Sequence, residues 1–133
     1  MTEPTNIVGP DSIRSGKNTS GSEIAKGTIV KLAATPTVRD EIEPAGAVTD
    51  AFYGVAMEDI PDDGWGNVQV NGKAIVLGGD DVAVGARVTS TAAGKGDEAA
   101  AGNAVLGIAV TAGADGELFE VELTGPGGTE MPG

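Results

Sequence analysis

The sequence predicts an all-β fold: a small barrel-like domain with two related halves and little helix. Three observations lead there. Glycine is abundant, at 22 residues, and the aromatic residues are Phe52, Tyr53, Trp65 and Phe119 alone. A core must therefore come from small aliphatic and β-branched groups on short strands joined by glycine-bearing turns. Runs of such residues recur at roughly 8–12-residue spacing, the pattern of a sandwich or barrel. Finally, one phrase is written twice: AFYGVA (51–56) returns as AVLGIA (104–109).

The repeat extends past the phrase itself. Laying Ala51 on Ala104 also lays Gly54 on Gly107, Ala56 on Ala109, Asp62 on Asp115, Val68 on Val121 and Gly72 on Gly125. The echo fits either an old internal duplication or a shared β recipe. Two similar β units closing one small barrel would account for it, with Gly54 and Gly107 at equivalent strand crossings.

The elements follow in order. Residues 1–22 lack apolar periodicity and carry Pro, Gly, Ser, Thr and Asn throughout, so they read as a flexible N-terminal arm. Ile7, Val8 and Ile13 stand out within it, either as incidental apolar residues or as groups that dock on a partner. A single β-domain is expected over 23–125, since a chain of 133 residues is long enough for one core but not for two. TIVKLA (28–33) is its first strand, and FYGVAM (52–57) reads as a short strand buried on both faces. VQV (68–70) and AIVL (74–77) flank Asn71-Gly72, the dipeptide favoured in a two-residue type I′ hairpin. After the turn GGDD (78–81) comes VAVGARVTS (82–90), a strand after Gly85. The polar loop 91–103 could hold a helical turn or two, and it leads into VLGIAV (105–110). In ELFEVEL (117–123), Phe119, Val121 and Leu123 alternate with Glu120 and Glu122, as in a half-buried strand. Residues 126–133 read as a flexible C-terminal tail.

Composition excludes several function classes. The net charge is -12 with only eight Lys and Arg, so the surface repels nucleic acid and anionic membranes. No cysteine is present, which rules out disulfides and thiolate metal sites. The N-terminus shows no basic start followed by an apolar run, so synthesis in a cytoplasm is expected. Histidine is absent too, removing the commonest general base at neutral pH. Ser15 and Lys17 lie in the arm, a poor place to hold catalytic geometry. No catalytic residue, metal site or cofactor is expected, and the chain does not read as an enzyme. Asp59, Asp62 and Asp63 before Gly64, and Asp80 with Asp81, offer hard oxygen ligands, but their spacing does not fit a calcium loop. They read as turn residues that hydrogen-bond neighbouring backbone. Trp65, in DDGWGN, reads as a turn residue folding back to cap the core. Its other reading is an exposed interface anchor.

The order of motifs then resembles a known family. A polar arm is followed by Gly27 to Val30, the phrase Phe52, Tyr53, Gly54, Val55, Ala56, and a strand with Val68, Val70 and Gly72. VAVGARVT, a second phrase at Gly107, Ile108 and Ala109, an acidic-Gly turn, and Val121 with Leu123 complete it. This is similar to the small capsid decoration, or cement, proteins of tailed bacteriophages, over about residues 24 to 125. The resemblance implies a barrel-like or β-tulip domain that forms homotrimers at local threefold positions outside the expanded head. There it would bind the major capsid protein and stabilise the shell against packed DNA. It also implies a virion location on the outer capsid surface, with the arm around Ile7, Val8 and Ile13 making the capsid contact, often by strand addition. Trp65 is a second candidate for a capsid or subunit contact. The rival readings are another phage component, a head fibre base or a tail protein, and a secreted β-module that binds sugar or calcium.

Overall fold

A computed structural model of the chain describes residues 13–33, 40–46, 52–91, 93–123 and, for the backbone, 129–130. The described residues contain no helix. Twelve strands are present among them: β1 (Ile13–Asn18), β2 (Ile29–Leu32), β3 (Glu41–Pro44), β4 (Gly54–Ala56), β5 (Trp65–Gln69), β6 (Gly72–Leu77), β7 (Arg87–Ser90), β8 (Gly96–Glu98), β9 (Ala104–Val105), β10 (Gly107–Ala109), β11 (Leu118–Leu123) and β12 (Thr129–Glu130). The all-β, barrel-like expectation is met.

The repeat proves to be structural, but the two halves do not close one barrel together. β1 to β5 form a closed barrel in the order β1-β3-β2-β4-β5, and the second half forms its own five-stranded sheet, β6-β11-β10-β7-β8. Replacing β1, β2, β3, β4 and β5 by β6, β7, β8, β10 and β11 converts one order into the other. Loop hydrogen bonds repeat as well. Ile24 N donates to Ile60 O as Val82 N does to Gly113 O, Gly27 N to Ala56 O as Gly85 N to Ala109 O, and Asn18 N to Gly64 O as Gly78 N to Glu117 O. A shared β recipe does not reproduce loop bonds in register, so the echo is a duplication. At the seam the units differ. β1 and β3 pair in parallel through Lys17–Glu41 and Asn18–Ile42, whereas the second unit closes only through the parallel bridge Gly78–Gly96. Beyond that bridge Asp97 Oδ1 accepts the Glu98 N–H at 2.8 Å, which removes a donor from the β8 edge.

Gly54 and Gly107 show why the phrase was kept. A Cβ on Gly54 would fall on Gln69 O and Val68 Cγ1, and one on Gly107 would fall on Glu122 O and Val121 Cγ1. The same strand crossing, against equivalent neighbours, demands glycine in both units.

Two core clusters result, not the single one expected from length. Ile24, Val30, Ile42, Ala56, Ile60, Val68 and Val70 fill the first barrel. The larger cluster combines second-unit residues such as Val76, Val88, Phe119 and Val121 with Ile29, Ala45, Phe52 and Val55 of the first unit. Successive residues on a strand point to opposite faces, so the β2/β4 wall serves both cores: Val30 and Ala56 face the barrel, Ile29 and Val55 the second unit. β4 is thus buried on both faces, as expected. Each fully buried Val, Ile or Phe contributes about 1.5–3 kcal/mol, so this shared wall binds the units into one body.

Several sequence expectations need correction. The Asn71-Gly72 hairpin does not form: β5 pairs with β1 and β4, and β6 pairs with β11. Gly72 has a positive φ, but Asn71 is not among the positive-φ residues, so the dipeptide is the link between units and not a type I′ turn. Gln69 secures that link by donating to Asn71 O and Lys73 O, both at 2.9 Å. The flexible arm ends earlier than Ser22, because Ile13–Asn18 is the strand that closes the first barrel. Backbone pairing on both sides orders a segment too polar to order itself. Within the expected tail, Thr129–Glu130 pairs with Val105 and Ala104. The 91–103 loop holds a strand, β8, and its described residues hold no helical turn.

Candidate interaction surface

The barrel seam presents a continuous outer face on β1 and β5. Ile13 pairs with Gln69, Ser15 with Asn67 and Lys17 with Trp65, so these side chains share one side, opposite Gly16, Gly66 and Val68. Trp65 does not cap the core; it begins β5 and is 56% exposed. Ile13 lies on the same face, about 13 Å away along the ribbon at the usual rise per residue. The structure therefore brings two of the four sequence-predicted contact residues onto one surface. Ile7 and Val8 lie outside the described residues. Ser15 and Lys17 are next-but-one neighbours on this face.

Anchoring of this face is polar and local. Asn18, fully buried, donates to Ser22 O at 2.8 Å and Ile60 O at 2.9 Å, while its Oδ1 accepts from Ser20 N and Oγ. All of its hydrogen-bonding capacity is engaged. The acidic turn residues are engaged similarly: Asp59 Oδ1 accepts from Lys26 N, and Asp62 Oδ1 from Gly21 N. Both tie the β4–β5 connection to the segment between β1 and β2, and among the described residues no acid cluster has metal-binding geometry.

A second exposed apolar region went unnoticed in the sequence. Val84 (66% exposed), Ile108 (44%) and Val110 (41%) lie at the far side of the second unit. Arg87 pairs with Ile108 across β7 and β10, and Glu122 pairs with Ile108 across β10 and β11. The run LGIAV gave no sign of this, because an apolar strand buried on one face reads like one buried on both. Between the units lies a cleft of about 220 Å³, lined by Lys26, Val55, Met57, Gln69, Ala74 and Ile75. It offers one cation, one amide and apolar walls.

No family model and no curated protein sequence matches the chain. Among solved structures it is similar to the head fiber gp8.5 N base in bacteriophage phi29, with a TM-score of 0.67 and 19% sequence identity. The match covers 84% of this chain and 92% of that one. At this identity the likeness is one of fold, and it spans both units.

Proposed function

We propose that this chain is a structural protein of a tailed-phage virion, bound to the outside of the head as a decoration protein. The observation that carries this reading is the fold likeness, over most of both chains, to the base of a phage head fibre. The resemblance of its motifs to decoration proteins supports the finer assignment. In this role trimers occupy local threefold positions on the expanded shell and contact the major capsid protein, without catalysis, cofactor, nucleic acid or membrane.

The mechanism is mass action. A ligand that binds only the expanded shell stabilises it by about 2.7 kcal/mol at a hundredfold excess over Kd. Multivalent attachment adds avidity, so each contact can be modest. Residues 1–12, with Ile7 and Val8, lead directly into β1, and Ile13 begins that strand. A capsid contact made there is transmitted through the β1 ladders with β3 and β5 into the barrel. Trp65 on the same face is the candidate for a further capsid or subunit contact.

A second reading, the base of a head fibre, is favoured by the identity of the structural neighbour. Co-sedimentation with expanded capsids lacking this protein tests both. Saturation with as many copies as capsid subunits, lost on deleting residues 1–12, is the expected result. Saturation at a small subset of sites selects the fibre base. No binding at any capsid stage removes the head-exterior assignment.

A further inference from the structure

The joint between the two units runs head to tail. Leu77 N donates to Gly27 O at 2.8 Å, and Ile29 N donates to Gly94 O at 2.7 Å. Leu118 also lies against Gly27, where an added Cβ would meet its Cδ2 at 3.0 Å. A twofold relation between the units would bring the counterparts together too, Lys17 and Trp65 against Gly85. They do not meet: an added Cβ on Gly85 would find nothing within 4 Å, where one on Gly27 would meet Leu118. The first unit therefore keeps the half of the joint that the second unit uses, and the second unit keeps the half that the first uses. Both unused halves are at the surface.

We propose that copies of this chain associate head to tail through a contact that repeats the internal joint, the Trp65 end of one copy seating on the Val84–Gly85 end of the next. The repeat correspondence specifies the contacts. Trp65 takes the place of Leu118 over Gly85. Val84, Ile108 and Val110 stand where Lys26, Val55 and Met57 line the internal cleft. Arg87 replaces Ile29 and Asp40 replaces Gly94, so the internal backbone contact becomes an opposite-charge pair between copies. Glu122 likewise replaces Gln69, and Arg14 replaces Ala74, two residues that line the cleft. Asp40 carries a positive φ like Gly94, so the two turns present the same backbone shape. Glu98, which replaces Pro44, is held on Ala83 N at 2.8 Å.

This arrangement names the occupant as a second copy on two grounds, continuity with a contact the molecule already makes and charge complementarity across it. The C-terminal strand β12 runs beside β9, against Val105, the counterpart of the joint residue Phe52, and leaves the Val84 side exposed. A contact between unlike ends builds a closed ring, a threefold ring included, where its rotation returns to the start, and an open chain of copies where it does not.

Sedimentation of the purified full chain without capsids tests the contact apart from any virion role. Wild type is expected to sediment heavier than a monomer. Trp65→Asp and Val84→Asp, each disabling one end, are expected to be monomeric alone and to form a heterodimer when mixed, since one intact end remains on each. Both residues are exposed, so an unchanged all-β far-UV spectrum and a retained cooperative melting transition verify folding. Asp40→Arg alone should weaken association about tenfold, and Arg87→Asp added to it should restore it. A monomeric wild type, association by either single-end variant, or a mixture that stays monomeric overturns the proposal.

Discussion

In the first unit two large side chains in the barrel interior face glycines. Ile42 and Ile60 project inward, and the strands they face carry glycine: a Cβ on Gly16 would meet Ile42 Cδ1 at 2.7 Å, and one on Gly66 would fall on the Ile60 side chain. In the second unit every one of these positions is reversed. Val76 and Phe119 stand at the counterparts of Gly16 and Gly66, and Gly96 and Gly113 at those of Ile42 and Ile60. A Cβ on Gly96 would meet Phe119 Cζ at 2.9 Å and Val76 Cγ1 at 3.0 Å, and one on Gly113 would meet Phe119 Cδ1 at 2.9 Å. The duplicated fold preserved the volume inside each unit and not the strand that supplies it, as close packing requires. At Gly54 and Gly107, where a Cβ would strike a backbone carbonyl, no such exchange is possible and glycine stays in both units.

The comparison can be broken most severely at those two glycines. Gly54→Ala and Gly107→Ala each drive a Cβ into a backbone carbonyl and should cost about 3 kcal/mol or more, by similar amounts, in urea unfolding. A large cost at one and none at the other would end the equivalence of the crossings. Next comes Asn18, whose counterpart Gly78 has no side chain to bury. Asn18→Ala leaves the Ile60 carbonyl without its side-chain donor and should cost about 2–3 kcal/mol. Smaller but more diagnostic is a double-mutant cycle. Gly66→Ala alone should destabilise by about 1–3 kcal/mol. In an Ile60→Ala background most of that cost should vanish, a coupling of about 1 kcal/mol or more. Strict additivity would mean that the two positions do not share one space. The smallest effect separates the free end from the occupied one. At dilutions where the chain is monomeric, Trp65→Ala should change stability by no more than about 0.5 kcal/mol, as for other exposed positions, whereas Leu118→Ala should cost more because Leu118 packs on Gly27 across the joint.

Strands with strong apolar patterning were legible in the sequence: TIVKLA, FYGVAM and ELFEVEL contain observed strands, and AIVL lies within one. Those that were not legible are polar and depend on distant partners. IRSGKN becomes β1 because β3 and β5 flank it, EIEP becomes β3 with Glu41 buried, and GDE becomes β8 against β7. The Asn71-Gly72 hairpin failed for the same reason, since local turn preference was outweighed by longer ladders to β1 and β11. Of the candidate contact residues, Trp65 was noticed for its composition, but its exposure required knowing that β5 begins at it. Val84, Ile108 and Val110 carried no signal at all, because exposure is not encoded in an apolar residue's identity.

AFYGVA and AVLGIA divide these contributions cleanly. The sequence alone determined that both are strands and that both carry a glycine at the same place, because the apolar, β-branched pattern and the repeated phrase are written in the residues themselves. It also determined the repeat and the acidic, histidine-free surface. Tertiary structure decided that Val55 is 1% exposed while Ile108, at the same place in the phrase, is 44% exposed. The reason is that one face of a strand sees whatever packs upon it: Val55 meets the second unit, and no described part of this chain covers Ile108.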